Sequence, residues 1–130
     1  EGVLEASRVA TGHSSGIELS LTGSGGSLAW RFGRMNELEL ALGELGSGDR
    51  GCTRVPAGPG QGAFSAFQPA AGLPMGYDDL KVIEAWELCR AIEAGDSPRP
   101  SLADAAAAAR VLAAMERSAE RGGWEAIEGC

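Results

Sequence analysis

From Gly16 to Leu42 apolar and polar residues alternate with a period of two. Ile17, Leu19 and Leu21 alternate with Glu18, Ser20 and Thr22, and after Ser24-Gly25-Gly26, Leu28, Trp30 and Phe32 alternate with Ser27, Ala29 and Arg31. After a second turn, Leu38, Leu40 and Leu42 alternate with Glu37, Glu39 and Ala41. Successive side chains of a strand point to opposite faces, so this pattern predicts three strands of an antiparallel meander with one apolar side. Val3 to Ala10 alternates more weakly and is predicted as a preceding strand, paired with the Ile17 strand through the turn from Thr11 to Gly16. Cys52 to Val55 adds a short edge strand that Pro56 stops. Residues 1–55 are thus read as sheet.

The stretch from Gly43 to Gly51 is glycine-rich and polar, and residues 56–76 are Gly, Pro, Ala and Gln with Phe64 and Phe67 as apolar anchors, which predicts an irregular loop. From Asp78 the period becomes helical. Val82, Trp86, Cys89 and Ile92 mark one face, widened by Leu80 and Ile83, with Asp78 or Asp79 as cap and Gly95 as the terminating glycine of a helix over 77–95. Ser101 and Asp104 resemble a capping box for a second helix over 101–122, with a stripe of Leu102, Ala105, Ala109, Leu112 and Met115. After Gly122-Gly123, residues 124–128 are read as a short returning strand. Strands first and helices last predict an α+β fold: a meander sheet with two helices on its apolar face, where Trp30 and Trp86 are expected to meet.

At 130 residues the chain suits one domain, and the sequence contains no GxGxxG and no βαβ alternation. Gly23-Ser24-Gly25-Gly26 falls between two antiparallel strands, as a hairpin turn does and a phosphate loop does not. A net charge of −7 without a Lys/Arg cluster argues against nucleic-acid or acidic-membrane partners. Cys52, Cys89 and Cys130 lack the spacing of a zinc site or a disulfide framework, which favours a reducing cytoplasm; Cys89, on the apolar stripe, is expected to be buried. Lys81 is the only lysine. There is neither a run of apolar residues long enough to span a bilayer nor a leader pattern, and the start at Glu1-Gly2-Val3 without Met reads as a piece of a longer protein.

Three segments carry a family resemblance: SRVATGHSSGIELSLTGSGGSLAWRFGRMNEL, GYDDLKVIEAWELCRAIEAGDSPRPSLADA and RVLAAMERSAERGGWEAI. In order and spacing they resemble the carboxyl-terminal domain of the glucose–fructose oxidoreductase / inositol dehydrogenase / MocA family of nicotinamide-dependent dehydrogenases. The resemblance implies an amino-terminal Rossmann domain ahead of this chain, holding NAD or NADP and the catalytic residues. No catalytic, cofactor-binding or metal residue is therefore expected within the chain, and the chain alone is expected to bind no cofactor. It also implies a small hydroxylated substrate, such as a sugar or polyol, and a homo-oligomer formed through the open, polar face of the sheet. The turn after the first strand points at substrate in such proteins, and the matching positions are His13 and Ser15. Tyr77, ahead of the helix, could reach the same cleft. Each has a plainer reading: His13 and Ser15 as solvated turn residues, Tyr77 as a packed ring with a bonded hydroxyl, and Asp78-Asp79 as caps instead of a metal pair. The competing reading of the whole is a stand-alone ligand-binding or dimerisation module without catalysis.

Overall fold

The computed structural model describes residues 2–43, 51–127 and 129. Glu1, most of the glycine-rich 43–51 stretch, Cys130 and the last residue of the expected 124–128 strand lie outside the described residues. The chain is α+β. Strands β1 (Glu18–Gly23), β2 (Gly26–Arg31), β3 (Glu37–Leu42) and β4 (Thr53–Pro56) form an antiparallel sheet in the order β1-β2-β3-β4. A 3-10 turn (Phe32–Arg34) links β2 to β3, and helices α1 (Phe64–Phe67), α2 (Tyr77–Ala94) and α3 (Leu102–Arg121) follow. The backbone divides into two compact units, Glu1–Lys81 and Val82–Cys130, with the boundary inside α2.

In the first unit the register follows the alternation. Leu19 faces Trp30, Leu28 lies between Leu21 and Leu40, and Leu38 faces Val55, so these residues share one side. On the other side Glu18 faces Arg31 and Glu39 faces Arg54. There Arg31 Nη1 donates to Glu39 Oε2 at 2.7 Å, while Glu37 is held by Arg34 at 2.9 Å and by Arg54 at 3.2 Å. The hydrogen bond to Glu39, then its charge, raises the Arg31 guanidinium above its ordinary value. Gly23 pairs with Gly26, so Ser24-Gly25 is a two-residue hairpin turn.

Residues 2–10 carry no strand, contrary to the Val3–Ala10 expectation. A weakly alternating segment gains strand structure only through a ladder partner, and β1 pairs with β2 alone. The loop 56–76 is not wholly irregular, because α1 forms in it and its ends are tied down. Ala57 N donates to Asn36 O at 2.7 Å, Gly72 N to Ala57 O at 3.0 Å, and Asn36 Nδ2 to Leu73 O at 2.6 Å.

The helix ends follow their local signals. Asp79 Oδ2 accepts the Gly76 N–H at 2.7 Å, so this carboxylate caps α2. At the other end Gly95 adopts φ 70° and Asp96 N donates to Ala91 O at 2.9 Å. Ser101 and Asp104 form a complete capping box on α3. The faces, however, are turned relative to the apolar stripes of the sequence. On α2 the less exposed residues are Leu80, Ile83, Trp86, Glu87 and Ala91, while Val82, Cys89 and Ile92 are exposed. Cys89 is thus a free, exposed thiol and not the buried small residue expected. On α3 the inner side runs through Ala107, Val111, Ala114 and Ser118, with Ala114 only 4% exposed and Leu102 90% exposed.

No strand forms over 124–127. Arg117 and Arg121 clamp Glu125 at 3.4 and 3.1 Å, and Ser118 Oγ donates to Gly123 O at 2.6 Å; the segment is tied back to α3 and Trp124 is left fully exposed. Among the described residues no helix is long and apolar enough to cross a membrane.

The α3 cap has a pH signature. The Asp104 carboxylate accepts the Ser101 N–H at 2.7 Å and the Ser101 hydroxyl at 2.8 Å, and these bonds, the backbone one first, lower its pKa. A lowered folded value means that the cap contributes fully above the unfolded pKa and is lost as pH falls through the folded one. By far-UV circular dichroism, Asp104→Asn should lose helix relative to wild type at neutral pH; the two should begin to converge as pH falls below roughly 4 and meet only once it has passed the lowered folded pKa.

Candidate substrate-side site

The turn carrying His13 is built by Thr11-Gly12 and Ser14-Ser15, with Gly12 at φ 88° and Ser15 at φ 52°. The His13 N–H donates to Ala10 O at 3.2 Å. Residues 7–15 line an open, polar concavity of about 700 Å³, so His13 and Ser15 share one surface feature. A left-handed backbone at a serine is uncommon and fixes the direction in which the turn presents its hydroxyls.

Tyr77 does not line that concavity. It opens α2 with its ring edge-on to Phe32, centroids 6.5 Å apart at 73°, and the Lys81 ammonium lies 5.7 Å from its ring centroid. Phe32 in turn meets Trp30 edge-on at 6.2 Å, and the Phe32 N–H donates to Ile17 O at 2.8 Å. Ile17 follows Ser15 by two residues. Phe32 is therefore bonded through its backbone to Ile17 and meets Tyr77 through its ring. In the sequence Phe32 belongs only to an apolar stripe; its position at the end of β2, where the chain turns, is the signal that marks it.

A separate apolar pocket of about 370 Å³ lies on the inner side of the sheet, bounded by Trp30, Leu38, Val55, Phe64 and Leu80. Its polar neighbours are engaged internally: Trp30 Nε1 donates to Met35 O at 3.0 Å, and Gln61 Oε1 accepts the Gly58 N–H at 2.7 Å.

No cluster of three or more His, Cys, Asp or Glu able to hold a metal occurs among the described residues. A phosphate cradle needs a glycine turn opening onto a helix N-terminus, and Ser24-Gly25 instead joins two antiparallel strands.

No protein-family profile matches the chain. The levoglucosan dehydrogenase of Pseudarthrobacter phenanthrenivorans is 32% identical over 123 residues, covering 95% of this chain and 32% of that protein. A solved levoglucosan dehydrogenase, in complex with NADH and levoglucosan, superposes with a TM-score of 0.84 at 30% identity, over 93% of this chain and 33% of its own. An NAD-binding oxidoreductase from Klebsiella pneumoniae gives a TM-score of 0.84 at 30% identity, over 95% of this chain and 34% of its own. An oxidoreductase domain protein from Kribbella flavida gives 0.82 at 33%, over 92% and 31%. The chain thus spans about a third of the length of the proteins it matches. With this agreement in sequence and fold, the chain belongs to the glucose–fructose oxidoreductase / inositol dehydrogenase / MocA family and corresponds to its carboxyl-terminal part.

Proposed function

We propose that the chain is the substrate-side portion of an NAD(P)-dependent dehydrogenase acting on a hydroxyl of a sugar or polyol, completed by an amino-terminal Rossmann domain. The parent transfers hydride from a carbinol carbon to the nicotinamide, leaving a carbonyl, and the alcohol proton goes to a base on the missing part. This portion closes the substrate side through His13, Ser15 and Tyr77, and the polar sheet face of Arg31, Glu37 and Glu39 meets a second copy. The protein works in the cytoplasm, with Cys52 and Cys89 as free thiols. The observation that carries the reading is the superposition, over almost the whole chain, on a dehydrogenase holding both NADH and levoglucosan.

Two measurements test it. The complete gene product should reduce NAD or NADP in the presence of levoglucosan or a related sugar; absence of any such oxidation across cyclic and open-chain polyols would overturn the proposal. The 130-residue chain by itself should give no saturable heat with NADH in titration calorimetry. Micromolar binding would show that a cofactor site exists within it.

A further inference from the structure

We propose that the turn bearing His13 is an anion-recognition subsite, in which the Arg8 guanidinium takes a carboxylate or phosphate group carried by the sugar substrate. The inference rests on the dehydrogenase reading above and narrows its substrate class to anionic sugars.

Residues 7–15 line the open concavity of about 700 Å³, and all of them belong to the same compact unit. The chain carries 18 Asp and Glu against 11 Lys and Arg, yet none of the 18 falls within this run. Glu5 and Glu18, nearest in sequence, lie outside the lining, and Glu18 is instead 3.9 Å from Arg31. The concavity is lined by one guanidinium, one imidazole and the hydroxyl-bearing Ser7, Thr11, Ser14 and Ser15. A hollow lined by one sign of charge concentrates ligands of the other sign, and this sign is opposite to that of the whole chain. A neutral sugar presents hydroxyl donors that carboxylates accept, and the lining has no carboxylate. An anion needs donors, which the lining supplies.

Arg8 differs from the other described arginines of its unit. Arg31, Arg34 and Arg54 each meet a glutamate, at 2.7, 2.9 and 3.2 Å, whereas the exposed Arg8 side chain has no ion pair or hydrogen bond among the described residues. Its planar fork of N–H donors matches two oxygens of a carboxylate or phosphate at once. The backbone supplies an independent observation. Ser15 holds φ 52°, left-handed at a residue that is not glycine, and the His13 N–H closes the turn on Ala10 O at 3.2 Å. Strained backbone of this kind concentrates at ligand clamps and active sites.

Steady-state kinetics on the complete gene product with glucose, glucuronate and glucose 6-phosphate provide the test, because these sugars share one ring and differ only at the last carbon. The kcat/KM for one of the two anions should exceed that for glucose about tenfold or more. Arg8→Gln should lower this anion-to-neutral ratio about tenfold, and Arg8→Lys, which keeps the charge but loses the fork, about threefold. The wild-type ratio should also shrink as ionic strength rises from about 0.01 to about 1 M. General loosening of the fold would lower activity on every sugar together and leave the ratio in place. Preference for glucuronate assigns a carboxylate to the subsite, and preference for glucose 6-phosphate a phosphate. An enzyme that oxidises neutral sugars alone, levoglucosan included, or whose ratio ignores both Arg8 variants, overturns the anion subsite and leaves the dehydrogenase reading standing. So does an Arg8→Gln variant in which the cofactor KM rises in place of the sugar KM. A gene product without NAD(P)-dependent sugar oxidation overturns both.

Discussion

Gly26→Ala is expected to cost about 3 kcal/mol of stability, the combined effect of a strained backbone and a clash that cannot relax locally. Gly26 opens β2 at φ 148°, a conformation that side chains rarely adopt. A Cβ there would run into the carbonyl oxygen of Ala41, which is backbone of β3 and cannot swing aside as a side chain would. The strain falls on the hairpin end of the sheet, where Gly26 faces Leu42 and Gly43 N donates to Gly25 O at 3.1 Å. Gly25→Ala is the internal control: its Cβ meets nothing within 4 Å and the change should stay within about 0.5 kcal/mol. Urea unfolding followed by far-UV circular dichroism separates the two. Equal losses would mean that β2 and β3 do not approach as described. Against the roughly 5–15 kcal/mol of a typical domain, the Gly26 effect is large enough to move the midpoint well outside measurement error.

Trp30→Ala should cost a comparable amount, about 3 kcal/mol, the lower end of the range for removing a large aromatic ring because Trp30 is only half-buried. Three features disappear together: the contact with Leu19 across the strand pair, the edge-on contact with Phe32, and the indole N–H to Met35 O that braces the turn into β3. Trp30→Phe keeps most of the apolar area but leaves the Met35 carbonyl without its donor, so it should lose about 1 kcal/mol. Arg31→Ala, one residue on and facing the solvated side, should lose much less than Trp30→Ala, since its partners Glu39 and Glu18 stay hydrated. If Trp30→Ala and Arg31→Ala proved equally mild, Trp30 would not be part of a packed face at all.

The positions of these two residues show why some of the fold could be read from the chain and some could not. Alternation assigned Trp30 to the apolar side and Arg31 to the polar side, and the strand register agrees at each paired position. Hairpin chemistry at Ser24-Gly25, the capping box of Ser101 and Asp104 and the terminating glycine at Gly95 were equally legible, because each depends on a few neighbouring residues and their own hydrogen bonds. Val3–Ala10 failed the same test because strand structure needs a partner that local sequence does not name. The family followed from three motifs in order, whereas the contacts of Phe32 with Ile17 and with Tyr77 had no local mark.

What the sequence by itself determined is therefore the alternating sheet, the helix ends and the family. Which face of each helix turns inward was decided by tertiary structure. The helical stripe of Leu102, Ala105, Ala109, Leu112 and Met115 pointed one way on α3, and the less exposed side runs through Ala107, Val111 and Ala114. Hydrophobicity says how much a side chain gains from any cover, while close packing depends on which surface actually faces it and how near the backbones can come. Joining Ile17, Phe32 and Tyr77 is likewise a product of the folded chain, since a hydrogen bond from the end of β2 to the start of β1 and a ring contact across 45 residues exist only once the strands have paired.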